Sequence, residues 1–365
     1  MKGNDGAHPL KLQGRHFGSQ QNLKEKPPFV RQNTRSLCRR CLPAPQPPRC
    51  RRMNKKSSLL IAGLVALVVA RSGYAQNSAP APAPTPQEQG IGLSFNGSFG
   101  GIGKSKFKSG NTKYNEVSST NYSFGVSQVI PFGQESALET SLSYSRESLK
   151  FEKGRDAALP LPKRLQSLSL GFNYSQPIND RWSAMLSTSF VSATAGTSGF
   201  KSKGFGVEIF AAATYKTSPT LSFTGGAAYS SLAQGTTQLF PVIGVNWTPS
   251  PQWTVAVGIP ETGITYHFSE SFSLGLVATG RGGAYYVEVD PLPGAAGKPN
   301  LSRTTLDYFA VGTALKATWQ AGPSFGVTAS IGSIFQSEFE YEARKLKIKS
   351  DGGGTYYELG LSVAF

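Results

Sequence analysis

Residues 355–365 place every large apolar side chain but one at alternate positions: Tyr357, Leu359, Leu361, Val363 and Phe365. A period of two puts these five on one face of an extended strand, with Tyr356, Glu358, Gly360, Ser362 and Ala364 on the other. Such a strand requires an apolar medium on one side only. A sheet that meets this need on every strand and leaves no open edge is a barrel closed in a membrane, with lipid outside and a polar lumen inside.

The same alternation runs from residue 90 to the end. Leu168, Leu170, Phe172 and Tyr174 oppose Ser167, Ser169, Gly171 and Asn173, and Trp182, Ala184, Leu186, Thr188 and Phe190 oppose Ser183, Met185, Ser187 and Ser189. Similar runs cover 205–215, 221–229, 239–247, 309–319 and 325–335. The count predicts an all-β fold: a single antiparallel transmembrane β-barrel of fourteen strands. The runs 253–259 and 263–268 fall short of the roughly nine to eleven residues that cross a bilayer at a tilt. Twelve strands plus an irregular hairpin is therefore the alternative.

Short connections at 131–136, 176–181, 216–220, 248–252, 269–271 and 320–324 alternate with longer ones near 101–120, 150–164, 194–203, 281–305 and 336–354. This asymmetry predicts periplasmic turns at one end and extracellular loops at the other. Aromatics bracket the short turns: Tyr174 and Trp182, Trp247 and Trp253, Phe268 and Phe272, Trp319 and Phe325. Rings recurring at one height predict a girdle at the headgroup level.

A formal charge of +16 suggests an anionic partner until its position is considered. Residues 1–52 hold twelve Lys/Arg against Asp5 and Glu25, with all three cysteines. Next come Asn54-Lys-Lys, an apolar run at 59–70 and Gly73-Tyr74-Ala75, the three parts of a secretory signal peptide. The expected division is an upstream extension at 1–52, a signal peptide at 53–75 cleaved after Ala75, a Pro/Ala-rich periplasmic tail at 76–89 and the barrel at 90–365. The chain after Ala75 has twenty-two Lys/Arg against nineteen Asp/Glu and no cysteine, so the charge argument for nucleic acid disappears.

Small residues dominate the positions assigned to the lumen, as in Ser222, Thr224, Gly226 and Ala228 or Gly326, Thr328, Ser330 and Gly332. Small side chains do not fill a barrel of this size, which predicts a water-filled passage unless a loop folds in. Glu139, Glu208, Glu288, Lys316 and Glu358 are the expected charged lumen-lining residues. Lys104, Lys106, Lys108, Arg344, Lys345, Lys347 and Lys349 are the expected contacts for lipopolysaccharide phosphate. The one histidine after residue 75, His267, adjoins Ser269 and Glu270 near a predicted periplasmic turn, which points to a structural histidine. Gly100-Gly-Ile-Gly103 precedes a Lys-rich stretch and no helix, so it is not a phosphate loop. The expectation is a non-enzyme without metal or cofactor.

The C-terminal alternation ending on Phe365 resembles the signal by which outer-membrane barrels are handed to their assembly machinery. The stretch Trp253-x5-Ile259-Pro-Glu-Thr-Gly-Ile-Thr-Tyr266, the Phe272 strand and Asp307-Tyr-Phe-Ala-Val-Gly312 resemble a poorly characterised outer-membrane barrel family carrying a domain-of-unknown-function label. That resemblance implies location and architecture and carries no site residues. The function expected is a passive pore or channel for small solutes in the cell outer membrane; the alternative is a non-conducting adhesin or envelope scaffold acting through its loops. The partners expected are outer-membrane lipid and lipopolysaccharide, the barrel-assembly machinery and small solutes. Deleting Phe365 is expected to lower the amount of heat-modifiable barrel in the outer membrane several-fold, measured on semi-native gels.

Overall fold

A computed structural model describes residues 92–365 apart from 133–135, 153–157, 235–237, 259–260 and 294–298. The proposed extension, signal peptide, tail and cleavage site lie outside the described residues. The strands are β1 (Gly92–Ser109), β2 (Thr112–Phe132), β3 (Ser136–Phe151), β4 (Arg164–Pro177), β5 (Trp182–Ala195), β6 (Phe205–Ser218), β7 (Leu221–Ser230) and β8 (Leu239–Ser250). They continue with β9 (Trp253–Gly258), β10 (Gly263–His267), β11 (Phe272–Val287), β12 (Thr304–Gln320), β13 (Phe325–Tyr341), β14 (Leu346–Ser350) and β15 (Gly354–Ala364).

Each strand from β1 to β13 pairs antiparallel with the next, and β15 pairs with both β13 and β1, which closes the sheet. β14 also pairs with β13 and β1, above β15, so the two are halves of one strand interrupted near residues 351–353. Fifteen segments therefore make fourteen staves, and the short β9 and β10 count as full members of the circuit.

Direct cross-strand partners share a face, so the registers assign every side chain. Phe95, Phe99, Phe124, Leu142, Leu170, Leu186, Ile209, Ile243, Val257, Leu276, Ile331 and Leu361 are exposed on the outside. Around the short turns the rings touch: Trp182 and Tyr215 at 4.8 Å, Trp253 and Tyr266 at 4.9 Å, Phe268 and Phe272 at 5.5 Å, Phe95 and Phe365 at 5.9 Å. A second set, including Tyr122 with Tyr144 and Phe190 with Phe205, lies at the far edge of the apolar band. Two aromatic belts bounding an apolar wall are the exterior of a membrane-spanning barrel.

Above the band the strands invert their polarity. On β1, Ser94, Asn96 and Ser98 face inward below, whereas Phe107 faces inward and Lys104, Lys106 and Lys108 outward above. A bulge between Ile102 and Ser105 supplies the one-residue shift. On β13 the shift falls opposite the Val311/Gly312 irregularity of β12, after which Phe339 and Tyr341 turn inward and Glu338 and Glu340 outward. Outside the lipid the solvent is water, so the apolar face belongs inside. This corrects the expected long loops near 101–120 and 336–354. They are tall strands whose exterior is polar because it stands in water, and only residues 110–111 join β1 to β2.

The wall also narrows. The extracellular end of β11 pairs in parallel with β5, Tyr286 with Thr194 and Val287 with Ala195, so β6 to β10 drop out of the circuit at that height. The ring that remains is β11, β12, β13, β14, β1, β2, β3, β4 and β5. A barrel of about eight strands is just wide enough for side chains to fill, and this nine-strand neck is filled. Phe107, Val117, Leu149, Leu165, Ala195, Val287, Leu306, Ile334, Phe339, Tyr341 and Ile348 are buried in one cluster. Loop residues Leu159, Leu161 and Leu301 join them, and the Tyr341 hydroxyl donates to the Pro160 carbonyl at 3.1 Å.

The turn after β9 relies on Gly258, whose φ of +103° and approach to the Ile243 carbonyl oxygen, 2.0 Å from a would-be Cβ, exclude a side chain. Gly258→Ala is expected to cost about 1–3 kcal/mol, read as a lower urea midpoint for the barrel in vesicles.

Candidate functional site

Within the membrane zone the lumen is lined by Ser94, Asn96, Ser98, Ser123, Ser127, Ser141, Ser143, Ser167, Ser169 and Gly171, with Ser187, Ser189, Thr214, Ser222 and Thr224 beyond them. Hydroxyl pairs such as Ser94 with Ser127 and Thr214 with Thr224, 2.8 and 2.9 Å apart, satisfy one another along the wall. The interior of β5 to β8 differs: Phe210, Ala228, Phe240 and Val242 form a buried apolar patch with Met185 and Ala212 packed against it.

Four of the five charged residues expected in the lumen face inward. Glu139 sits low on β3 beside Asn173. Glu208 on β6 accepts from the Ser230 hydroxyl at 3.4 Å. Lys316 on β12 donates to Glu261 from the β9–β10 connection at 2.8 Å. Glu358 on β15 accepts from Arg281 at 3.0 Å and from the Tyr356 hydroxyl at 2.5 Å. Glu288 is a correction: it follows the end of β11, next to the outward-facing Tyr286, and is not part of the lumen wall. On β11 the odd-numbered residues from Val277 to Val287 face inward, so position 288 is both past the strand's end and out of phase with the lumen.

Where the wet vestibule meets the filled neck, a polar layer spans the lumen. Arg281 on β11 donates to Asn121 Oδ1 on β2 at 2.6 Å and to Glu358 on β15, and its guanidinium lies 5.1 Å from the centre of the Tyr356 ring. The Tyr308 hydroxyl on β12 donates to Glu147 on β3 at 3.1 Å. In the wall, β11 and β2 are separated by β12, β13, β15 and β1, so Arg281 holds together opposite sides of the tube. A buried cation is tolerable only with such partners. Sequence reasoning missed Arg281, Asn121, Glu147, Tyr308 and Tyr356, because residue 281 was assigned to a loop. The available signal was Ala278-Thr-Gly-Arg-Gly-Gly283, one cation amid small residues following the apolar run of β11.

The basic residues expected to meet lipopolysaccharide lie outside and above the band, and most face carboxylates. Lys104 pairs with Glu152; Lys106 lies 3.9 Å from Glu116 and Lys108 2.5 Å from Asp351. Lys347 bridges Glu338 and Glu340 at 2.6 and 2.9 Å, and Lys349 reaches Glu338 at 3.3 Å. Hydrogen bonding and charge from Lys108 hold the Asp351 carboxyl below its ordinary range. The collar is thus a lattice of both signs, with Arg344 and Lys345 exposed in the turn between β13 and β14. Of the side chains expected to form the insertion signal, Tyr357, Leu359, Leu361 and Phe365 are exposed on the lipid face, and Val363, half-buried, faces the same way beside Phe95. His267 faces inward at the periplasmic end with Nε2 3.2 Å from the Thr254 hydroxyl, while Ser269 Oγ lies 3.1 Å from Ser271 Oγ.

The sequence profile of a family described as a domain of unknown function, DUF6268, matches residues 96–363. No curated protein matches the chain. Among solved structures, it is similar to an outer-membrane channel from Pseudomonas putida F1, with 9% identity, a TM-score of 0.44, and 79% of this chain and 100% of that chain covered. A FadL homologue from Pseudomonas aeruginosa matches with 11% identity, a TM-score of 0.41, and 75% and 90% covered. The KdgM porin matches with 9% identity, a TM-score of 0.29, and 75% and 99% covered.

Replacing Arg281 with Ala takes the counter-charge from the half-buried Glu358 carboxylate, which keeps only the Tyr356 hydroxyl, and leaves the buried Asn121 Oδ1 without its donor. A loss of about 3–5 kcal/mol is expected, against about 1–3 kcal/mol for Tyr308→Phe, which leaves the Glu147 oxygen short of one donor; urea titration of the folded barrel in vesicles compares the two.

Proposed function

The chain belongs to the DUF6268 family, and we propose that it is an outer-membrane channel for small solutes, exported by the signal peptide at 53–75 and cleaved after Ala75. The observation that carries this reading is the fourteen-stave vestibule lined by serine, threonine and glycine. Side chains of that size leave a barrel this wide unfilled, and nothing in structural stability alone requires a wide hollow wall. The lumen charges Glu139, Glu208, Glu358 and Lys316 then meet the solute or its water. Arg344 and Lys345, at the top of the collar, face the phosphate layer of lipopolysaccharide.

The filled neck favours a second reading. With Leu159, Leu161 and Leu301 tucked into the apolar cluster, a straight path from the vestibule to the extracellular mouth is closed. A barrel shut in this way also suits a non-conducting envelope scaffold that works through its tall hairpins. Two probes separate the readings in cells with and without the full-length chain: nitrocefin, a polar molecule hydrolysed by a periplasmic β-lactamase, and N-phenyl-1-naphthylamine, which fluoresces on reaching lipid inside the outer leaflet. Faster entry of either probe with a heat-modifiable barrel present is the expected result; unchanged entry of both leaves the scaffold.

A further inference from the structure

We propose that the outer face of β3 and β4, just above the upper aromatic belt, is a binding site for the phosphorylated glycolipid of the outer leaflet, with Arg146 and Arg164 holding a lipid A phosphate. The site lies below the top of the collar and does not depend on whether the barrel conducts. Its position follows from the register. Phe99, Tyr122, Arg146, Gln166 and Thr194 are successive cross-strand partners from β1 to β5 and share the outward face. Along that face of β3, Leu142 and Tyr144 give way to Arg146, Ser148 and Lys150; along β4, Leu170 and Leu168 give way to Gln166 and Arg164. Arg146 is thus the first charged side chain of β3 above the lipid-facing band, at the depth of headgroup phosphates. Arg164 is its diagonal neighbour, since it pairs with Ser148, and both stand close enough to Tyr144 for their charges to act on its hydroxyl.

The connection from β5 to β6 adds to this face. Gln166 Nε2 donates to Thr194 Oγ1 at 3.3 Å, and the Thr194 hydroxyl donates to the Gly199 carbonyl at 3.4 Å. Both side chains are buried although they stand on the outer face, so the connection lies over the outside of the sheet. Phe200 then meets Tyr144 edge-on at 6.4 Å, and the exposed Lys201 and Lys203 follow it in the chain.

Charge separates this patch from the rest of the collar, where lysines face carboxylates. Among the described residues, no carboxylate lies within ion-pairing distance of Arg146, Arg164, Lys201 or Lys203. Arg146 is half-buried, and its Nε is covered without an acceptor. Its Nη1 donates to the Tyr122 hydroxyl at 3.3 Å, and the guanidinium lies 5.8 Å from the centre of that ring. Like charges on neighbouring strands repel, and a half-buried cation without a counter-charge is unfavourable. A phosphate that accepts from both guanidinium groups offsets both effects. Directly beneath, Phe99, Phe124, Leu142, Leu168 and Leu170 are exposed on the lipid face. Apolar surface continuous with a cationic pair fits an anion that carries acyl chains better than a free anion.

The test takes the barrel from outer membranes of cells expressing the full-length chain, strips it of lipid in detergent and titrates it with bisphosphorylated lipid A under native mass spectrometry. A saturable lipid A adduct is the expected result. Arg146→Gln with Arg164→Gln is expected to weaken it about tenfold or more, the scale of lost charge-assisted hydrogen bonds, and dephosphorylated lipid A is expected to bind the unaltered barrel with a similar loss. Lys347→Gln with Lys349→Gln, which removes cations that face carboxylates, is expected to leave the affinity within about twofold. Should the arginine variant fail to give a heat-modifiable barrel, Lys201→Gln with Lys203→Gln in the exposed connection is expected to weaken binding about fivefold. Lipid A binding that is absent from the unaltered barrel, or undiminished in these variants, overturns the site. Phosphatidylglycerol binding as tightly as lipid A overturns the glycolipid assignment in favour of a general anionic surface, and displacement of lipid A by inorganic phosphate alone overturns it in favour of a soluble anion.

Discussion

Everything in this structure follows from the requirement that no backbone hydrogen-bonding group be left unpaired where water is absent. In lipid that requirement closes the sheet, and here it is met by β15 joining β1 to β13. The sheet closes a second time, on a smaller circumference, where β11 leans across to β5. The two closures serve different media. The lower one surrounds polar space and faces lipid, and the upper one surrounds a dry core and faces water.

That change of medium explains the sequence pattern better than a change of fold would. A strand passing from lipid into water must exchange its faces, and a period-two sequence exchanges faces only by inserting a residue. The bulge at Ile102/Ser105 and the irregularity opposite Val311/Gly312 make that insertion on β1 and β13. β4 instead keeps its phase: Leu165 and Ser167 both face inward, and the polarity of the inward residues changes without a shift. Both solutions bring large side chains into the ring only above the membrane, where the ring is small enough to be filled.

The barrel, its strand count and its girdles were legible in the sequence because each rests on local alternation and on aromatics beside turns. The upper strands were read as loops because Lys104, Lys106 and Lys108 or Lys347 and Lys349 look like solvated segments when the assumed exterior is lipid. The lumen charges on regular strands, Glu139, Glu208, Lys316 and Glu358, were legible for the same reason as the strands. Arg281 was not, and neither were its partners. A contact between β11 and β2 depends on the circumference of the closed ring, and no local pattern encodes that distance.

The neck and the vestibule also make opposite demands on the side chains of β11. Toward the periplasm its inward residues are Ser273 and Gly275, matching a hollow lumen; toward the outside they are Tyr285 and Val287, matching a filled one. Arg281 stands between, at the height where a side chain can no longer be solvated by the vestibule and is not yet surrounded by hydrocarbon. A neutral residue there would leave Asn121 Oδ1 without its donor and Glu358 with the Tyr356 hydroxyl but no counter-charge, and an apolar one would extend the dry core down toward the membrane. The buried cluster continues below it through the Val277–Ala314 pair, so the cation crosses the lower part of the plug, and its reach to β2 and β15 keeps the leaning upper half of β11 fixed against the far wall. With that half of β11 held inward, β6 to β10 end beneath it, and the short hairpin of β9 and β10 is what the closed geometry leaves room for.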